Sequence, residues 1–206
     1  MPVSKTREYR SMIEFRAEDA ADGKCLVRGY ASTFEPYVLF SDEGVDYYER
    51  IDPHAFDGTD MSDVIMQYDH CGPVFARTSN STLTLGVDAH GLFMEADLSS
   101  TAKTKELYEE IRAGLITKMS FAFTVDRDSY DQPTHTRTVE HVKKLYDVSA
   151  VSLPANPGTE IGVSARDLFH GVMEAEKAER LEAERKAKAR KVLALRLRLG
   201  GEIYGN

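Results

Sequence analysis

Apolar and polar residues alternate along much of the first 160 positions, and this two-residue period predicts β-strands. The alternation is clearest over 81–88 and 91–98, and residues 89–91 between these segments predict a hairpin loop. Two earlier strands are predicted around Met12 and around Val27. The first part of the chain is therefore expected to be rich in strands.

Strand character returns later in the chain, over 117–125 and 139–153. The segment between them, 126–137, is rich in Asp, Ser, Gln, Pro and Thr, which predicts a loop. Pro154 is expected to end the last strand, because proline has no N–H to donate to a neighbouring strand.

Helical periods appear in two places. Thr101 is a candidate N-cap, Gly114 is a candidate stop, and the apolar residues near them follow a helical spacing: Leu107, Tyr108, Ile111 and Leu115. From Ser164 to Leu199 the composition changes to Ala, Glu, Lys, Arg and Leu. This segment predicts one long charged helix, with a face exposed to solvent or weakly paired with a partner.

Charge is distributed unevenly between the strand-rich part and the charged helix. The formal net charge is −8, with 16 Lys and Arg against 27 Asp and Glu in residues 1–165, and 10 against 7 in residues 166–206. An acidic body argues against general nucleic-acid binding by the body. The basic tail could contact nucleic acid, although mixed-sign charge is more typical of a solvated helix face.

Other bulk features bear on location. The two cysteines, Cys25 and Cys71, give no disulfide framework and favour a reducing, cytosolic setting. The N-terminus lacks the apolar core of a signal peptide, and no run of 18 apolar residues occurs. We therefore expect a protein that is neither secreted nor membrane-spanning.

Three short motifs supply the side chains of a serine hydrolase. His70 follows the apolar run 64–66, Ser120 lies in the strand predicted over 117–125, and Asp147 lies in the strand predicted over 139–153. A histidine, a serine and a carboxylate are the parts of an acyl-transfer triad, which recurs on unrelated folds in different chain orders.

Strand geometry gives Ser120 a lightly polar face. Ser120 and Ala122 share one face of the predicted strand, while the larger apolar residues of 117–125 share the other. A face of small residues leaves room for a substrate backbone beside a hydroxyl group. The alternative interpretation is an ordinary solvent-facing serine.

The other two residues also have alternatives. A histidine at the end of a strand is a good general base, but it is more often a plain surface residue, and His141 in another predicted strand could compete with His70. Asp147 shares a face with apolar residues, so it needs a partner, which could be an imidazole or an arginine. Glu140 and Asp69 are the other carboxylates close to these motifs.

Five segments between about Gly29 and Gly158 follow one another in a characteristic order: 29–34, 49–56, 69–77, 114–121 and 146–157. Together they resemble the prohead (capsid maturation) serine proteases of tailed bacteriophages, which are distant relatives of the herpesvirus assemblins. His54 and Ala122 depart from the resemblance, because the family usually has glycine at the first position and often has glycine at the second.

The resemblance implies that His70 is the general base and Ser120 the nucleophile. The family usually has a glutamate before its Val-Ser pair, and here Asp147 holds that position, one methylene shorter. For the oxyanion hole we look to backbone amides near 156–158, or to Arg77. The mechanism needs no metal and no cofactor.

The resemblance also implies a fold class. It predicts a β-rich α+β fold, with a closed or nearly closed β-barrel and a few surrounding helices, as in the herpesvirus proteases. With the charged C-terminal helix, this gives a protease domain over 1–163 and a helical extension over 164–206.

The implied activity is that of a serine endopeptidase of phage head maturation. Its expected substrates are the scaffold protein or the scaffolding segment of the major capsid protein, with the protease itself as a further candidate, inside the immature capsid in the host cytoplasm. A homodimer is a hypothesis that the resemblance suggests, and neither a membrane nor nucleic acid is an expected partner.

Two rival functions stay open at this point. One is a non-catalytic scaffold or capsid-assembly protein that keeps the protease fold, and the other is an intracellular hydrolase of small esters.

Overall fold

The computed structural model describes residues 7–12, 15–19, 23–152 and 160–203 of the 206-residue chain. The chain divides into two compact units, Met1–Ala165 and Arg166–Asn206. The domain boundary that we drew at 163/164 stays a prediction.

The described part of the first unit is dominated by strands, as the alternating pattern predicts. Its eleven strands are, in chain order, β1 Glu8–Met12, β2 Phe15–Asp19, β3 Cys25–Thr33, β4 Tyr37–Asp42, β5 Val45–Ile51, β6 Ile65–Tyr68, β7 Cys71–Arg77, β8 Leu83–Val87, β9 Gly91–Asp97, β10 Lys118–Asp131 and β11 Thr136–Val151.

The strands form two sheets. In the larger sheet the order is β1-β10-β11-β5-β4, and β6 pairs with both β11 and β7. Strand β11 pairs antiparallel with β10 along most of its length, and its last third pairs in parallel with β6. The smaller sheet has the order β2-β3-β9-β8.

The prediction of a closed or nearly closed barrel is wrong for the part of the chain that the structure describes. No ladder joins the two sheets there, and β1 and β4 end the path of the larger sheet. The alternating pattern predicts which faces are buried, but it contains no signal for which edge strands meet. The molecule is a strand-rich α+β protein with open sheets.

The predicted loop over 126–137 is also wrong. Strand β10 continues to Asp131 and β11 begins at Thr136, so only a tight turn separates them. The register runs on to the pair Asp131–Thr136. A polar segment can form a strand when a partner strand satisfies its backbone groups, because strand preference depends on context.

Helix α1, Ala102–Arg112, confirms the predicted N-cap. The Thr101 side chain accepts a hydrogen bond from the backbone N–H of Thr104, and the Thr104 side chain in turn accepts one from the backbone N–H of Thr101. Gly114 follows the helix with a positive φ of 74°, a conformation that glycine adopts without strain. Leu115, which we placed in the helical period, lies beyond this stop and is 74% exposed.

Helix α2, Glu160–Ile203, is longer at both ends than the predicted charged helix. Leu181, Val192 and Leu193 on it are exposed, as expected for a helix with few apolar residues.

The core of the first unit lies between the sheets and α1. Residues of β10 and β11 contribute many of its largest side chains, so the strands that carry Ser120 and Asp147 are held on a rigid support. The buried apolar residues of these two strands are Met119, Phe121, Ala122, Phe123, Val125, Val139, Val142, Leu145, Val148, Ala150 and Val151.

Candidate active site

His70 lies on a tight turn rather than at the end of a strand. Strands β6 and β7 pair through Tyr68 and Cys71, which leaves Asp69 and His70 as a two-residue hairpin loop. Both have positive φ angles, 49° and 55°. Hairpin turns of this length favour such angles, and Asp and His tolerate them better than most side chains do. Gly72 and Pro73, which follow His70 and Cys71, are part of β7.

The hairpin turn is docked on the end of β11. The backbone N–H of Asp69 donates to the Ala150 carbonyl at 2.9 Å. The Asp69 carboxylate accepts from the backbone N–H and from the hydroxyl of Ser152, each at 2.9 Å. These three bonds hold the backbone beside His70 against the strand that carries Asp147.

Strand register brings the other two predicted residues to the same face. Ser120 lies opposite Ser149, and Ala122 lies opposite Asp147 in the antiparallel pair of β10 and β11. Directly opposed residues project to the same side of a sheet. Ser120 and Asp147 therefore share the face onto which the hairpin turn folds.

The three side chains form a linked chain of hydrogen bonds. His70 Nδ1 lies 2.5 Å from Asp147 Oδ1, and His70 Nε2 lies 2.6 Å from Ser120 Oγ. A carboxylate can only accept, so Nδ1 carries the proton and Nε2 is left to accept from the serine hydroxyl. This is the arrangement in which an imidazole can take a proton from a serine.

Burial differs among the three side chains. Ser120 has no exposed surface, the Asp147 side chain is 3% exposed, and the His70 side chain is 15% exposed. The interpretation of Ser120 as a solvent-facing serine is therefore wrong. Low exposure also strengthens the hydrogen bonds between these groups, because water does not compete for them.

Ser149 is a partner that the sequence did not identify. Its hydroxyl donates to Asp147 Oδ1 at 2.7 Å, so that oxygen accepts from both His70 and Ser149. Ser149 is fully buried. The period-two spacing from Asp147 was the available signal, since residues i and i+2 of a strand lie on the same face.

The alternative candidates for the base and the carboxylate, His141 and Glu140, interact with other residues. His141 Nδ1 lies 2.5 Å from Asp126 Oδ1, and Glu140 forms an ion pair with Arg127. Among the described residues, neither has a hydrogen bond to Ser120.

The oxyanion-hole residues stay a prediction. Residues 156–158 lie outside the described residues. Arg77, the other candidate, forms an ion pair with Asp63.

Strand β1 contributes a second side chain that the sequence did not identify. The Tyr9 ring lies 4.7 Å from the His70 ring, centroid to centroid, at an interplanar angle of 69°. Nearby, the Arg7 guanidinium lies 4.0 Å from the centroid of the Tyr146 ring. Residues 7–10 are mostly charged and give no apolar period, so the strand predicted around Met12 was not extended to them.

The other face of β1 is held by buried ion pairs. Arg10 donates to both carboxylate oxygens of Glu49, at 2.5 and 2.8 Å. Arg137 donates to Glu8 at 2.6 Å, to Glu49 at 2.7 Å and to Asp128 at 2.7 Å. Burial alone raises the pKa of the Glu49 carboxyl, but the guanidinium groups of Arg10 and Arg137 lower it from 4.5 to about 2.

No group of three or more potential metal ligands occurs among the described residues. Within the same part of the chain, no helix is both long enough and apolar enough to span a membrane.

The family model for the caudovirus prohead serine proteases matches residues 11–174, about four-fifths of the chain. No curated protein and no solved structure matches this chain significantly.

Proposed function

Because the chain belongs to the caudovirus prohead serine protease family, we propose that it is an active serine endopeptidase with the triad Ser120, His70 and Asp147. The observation that supports this most is the continuous hydrogen-bond chain from the serine hydroxyl through the imidazole to a buried carboxylate. Each member comes from a different strand or turn.

The proposed mechanism has two steps, acylation and deacylation, and His70 acts as base and then as acid in each. Ser120 Oγ attacks the scissile carbonyl while His70 Nε2 takes its proton, and the imidazolium then gives that proton to the leaving amine. Water attacks the resulting acyl-enzyme by the same route and releases Ser120. Asp147 keeps the proton on Nδ1 and stabilises the imidazolium between these steps.

The proposed substrates are the scaffold protein or the scaffolding segment of the major capsid protein, with the chain itself as a further candidate. The support is the family's role in the prohead, so we place the activity inside the immature capsid in the host cytoplasm. The charged and largely exposed helix α2 suits a scaffold-like extension that retains the protease there. A homodimer and a fold related to the herpesvirus proteases belong to the same proposal.

One observation favours the second candidate, a non-catalytic assembly protein that keeps the protease fold. Ser120 has no exposed surface, so a substrate can reach its hydroxyl only after a covering group moves. The test of function must therefore separate cleavage from assembly.

The test is co-expression with the chain's own capsid and scaffold proteins, comparing wild type with Ser120→Ala by intact mass. We expect defined truncated products with wild type and full-length proteins with the variant. Ser129→Ala is a matched control, because Ser129 is an exposed serine of the same strand. Identical full-length masses in all three, with heads still assembled, would favour the assembly protein.

A further inference from the structure

We infer that Tyr9, on the N-terminal strand β1, is a positioning residue for His70 in the proposed triad. The inference rests on the proposed function, and it extends the site to a residue that precedes the family match over 11–174. The observation that supports it is the edge-on contact between the Tyr9 and His70 rings.

The register of β1 explains how Tyr9 reaches the site. Tyr9 lies opposite Ala122 in the antiparallel pair of β1 and β10, and Ala122 lies opposite Asp147 in the next pair. All three therefore project from the same face of the sheet. The small Ala122 side chain leaves space for the tyrosine ring to extend across it toward His70.

The two faces of β1 make different contacts. Arg7 and Tyr9 contact Tyr146 and His70 on the site face. Glu8 and Arg10, each 4% exposed, enter the buried ion pairs on the opposite face. Because these ion pairs fix the backbone of β1, the position of the Tyr9 ring is fixed as well.

His70 needs such a contact because its other restraints are few. It lies on a two-residue turn. A hydrogen bond at each ring nitrogen restrains movement of the imidazole within its own plane. A ring held only at two edge atoms can tilt out of the line to Ser120. Tyr9 packs against the imidazole from a third direction and excludes water from that side, so Nε2 stays aimed at Oγ.

The test measures the hydrolysis of p-nitrophenyl acetate by the full-length chain. We expect Tyr9→Ala to lower kcat about 2- to 10-fold with KM almost unchanged, and Tyr9→Phe to stay close to wild type, because the aromatic contact is kept. Tyr30→Ala is the matched control, since Tyr30 makes a similar contact with His90, at 4.5 Å and 80°. This control should keep the wild-type kcat.

A second readout separates this inference from the proposed function. The Nδ1–H proton of His70, followed by NMR in histidine-labelled protein, should exchange with water faster in Tyr9→Ala than in wild type or Tyr9→Phe. If wild type does not hydrolyse the ester but this difference is found, the positioning contact stands and the proposed catalysis fails. Wild-type kcat and proton exchange in a folded Tyr9→Ala, or a raised kcat, would overturn the inference.

Discussion

At the residue scale, the carboxylate of Asp147 decides which nitrogen of His70 carries the proton. Asp147 stands where the related proteases usually have the longer glutamate. Its Oδ1 nevertheless lies 2.5 Å from His70 Nδ1, so the shorter side chain reaches the imidazole without the extra methylene. Ser149 donates to the same oxygen at 2.7 Å. The carboxylate is therefore oriented from two directions.

We expect Asp147→Asn to lower kcat/KM about 10⁴-fold, because an amide can donate to Nδ1 and favour the tautomer whose Nε2 cannot accept from Ser120. Ser149→Ala removes one charge-assisted hydrogen bond and should lower kcat/KM about 10-fold. The measurement is ester hydrolysis, with the melting temperature as a folding control. A Ser149→Ala variant with wild-type kcat/KM would contradict the role given to Ser149.

At the element scale, buried ion pairs of its two charged residues, Glu8 and Arg10, hold strand β1 in the larger sheet. Glu49 of β5 accepts from Arg10 of β1 and from Arg137 of β11, and all three are almost completely buried. Removing one member of such a group leaves the others buried without compensation, which is costly. Strand β1, and with it Tyr9, should therefore depend on Glu49.

This dependence predicts a pH effect on stability. The pKa of the Glu49 carboxyl is about 2 in the folded protein and 4.5 as an ordinary value, so its contribution is complete above pH 4.5 and is lost as the pH falls to about 2. We expect Glu49→Gln to reduce the free energy of unfolding by about 3 to 5 kcal/mol near neutral pH. The difference from wild type should shrink as the pH falls through this window.

Urea unfolding at a series of pH values measures this difference. Glu95→Gln is the matched control, because Glu95 pairs with Arg28 on the surface and should change stability little. Parallel pH profiles for wild type and Glu49→Gln would show that the buried ion pairs do not depend on the Glu49 charge.

At the scale of the whole molecule, sequence reasoning predicted what depends on local period and failed where distant segments meet. The alternation at 81–98 correctly predicted the β8–β9 hairpin, and Thr101 correctly predicted where α1 begins. The three candidate residues came from motifs, and the structure brings their side chains within hydrogen-bond distance. Strand β1 confirms the strand predicted around Met12. Its first residues, which include Tyr9, were missed because their partners, Glu49 and Arg137, lie far away in sequence. Sheet closure, which the resemblance implied, also depends on contacts between distant segments.

The most direct test of the central claim, that Ser120 is a nucleophile activated by His70, is covalent labelling with a fluorophosphonate. Mass spectrometry of the labelled chain should find one adduct, mapped to the peptide that contains Ser120. The adduct should be lost in His70→Ala and kept in His54→Ala, whose histidine side chain is 84% exposed and pairs with Asp57. An adduct on another residue, or labelling of Ser120 that persists without His70, would contradict the account.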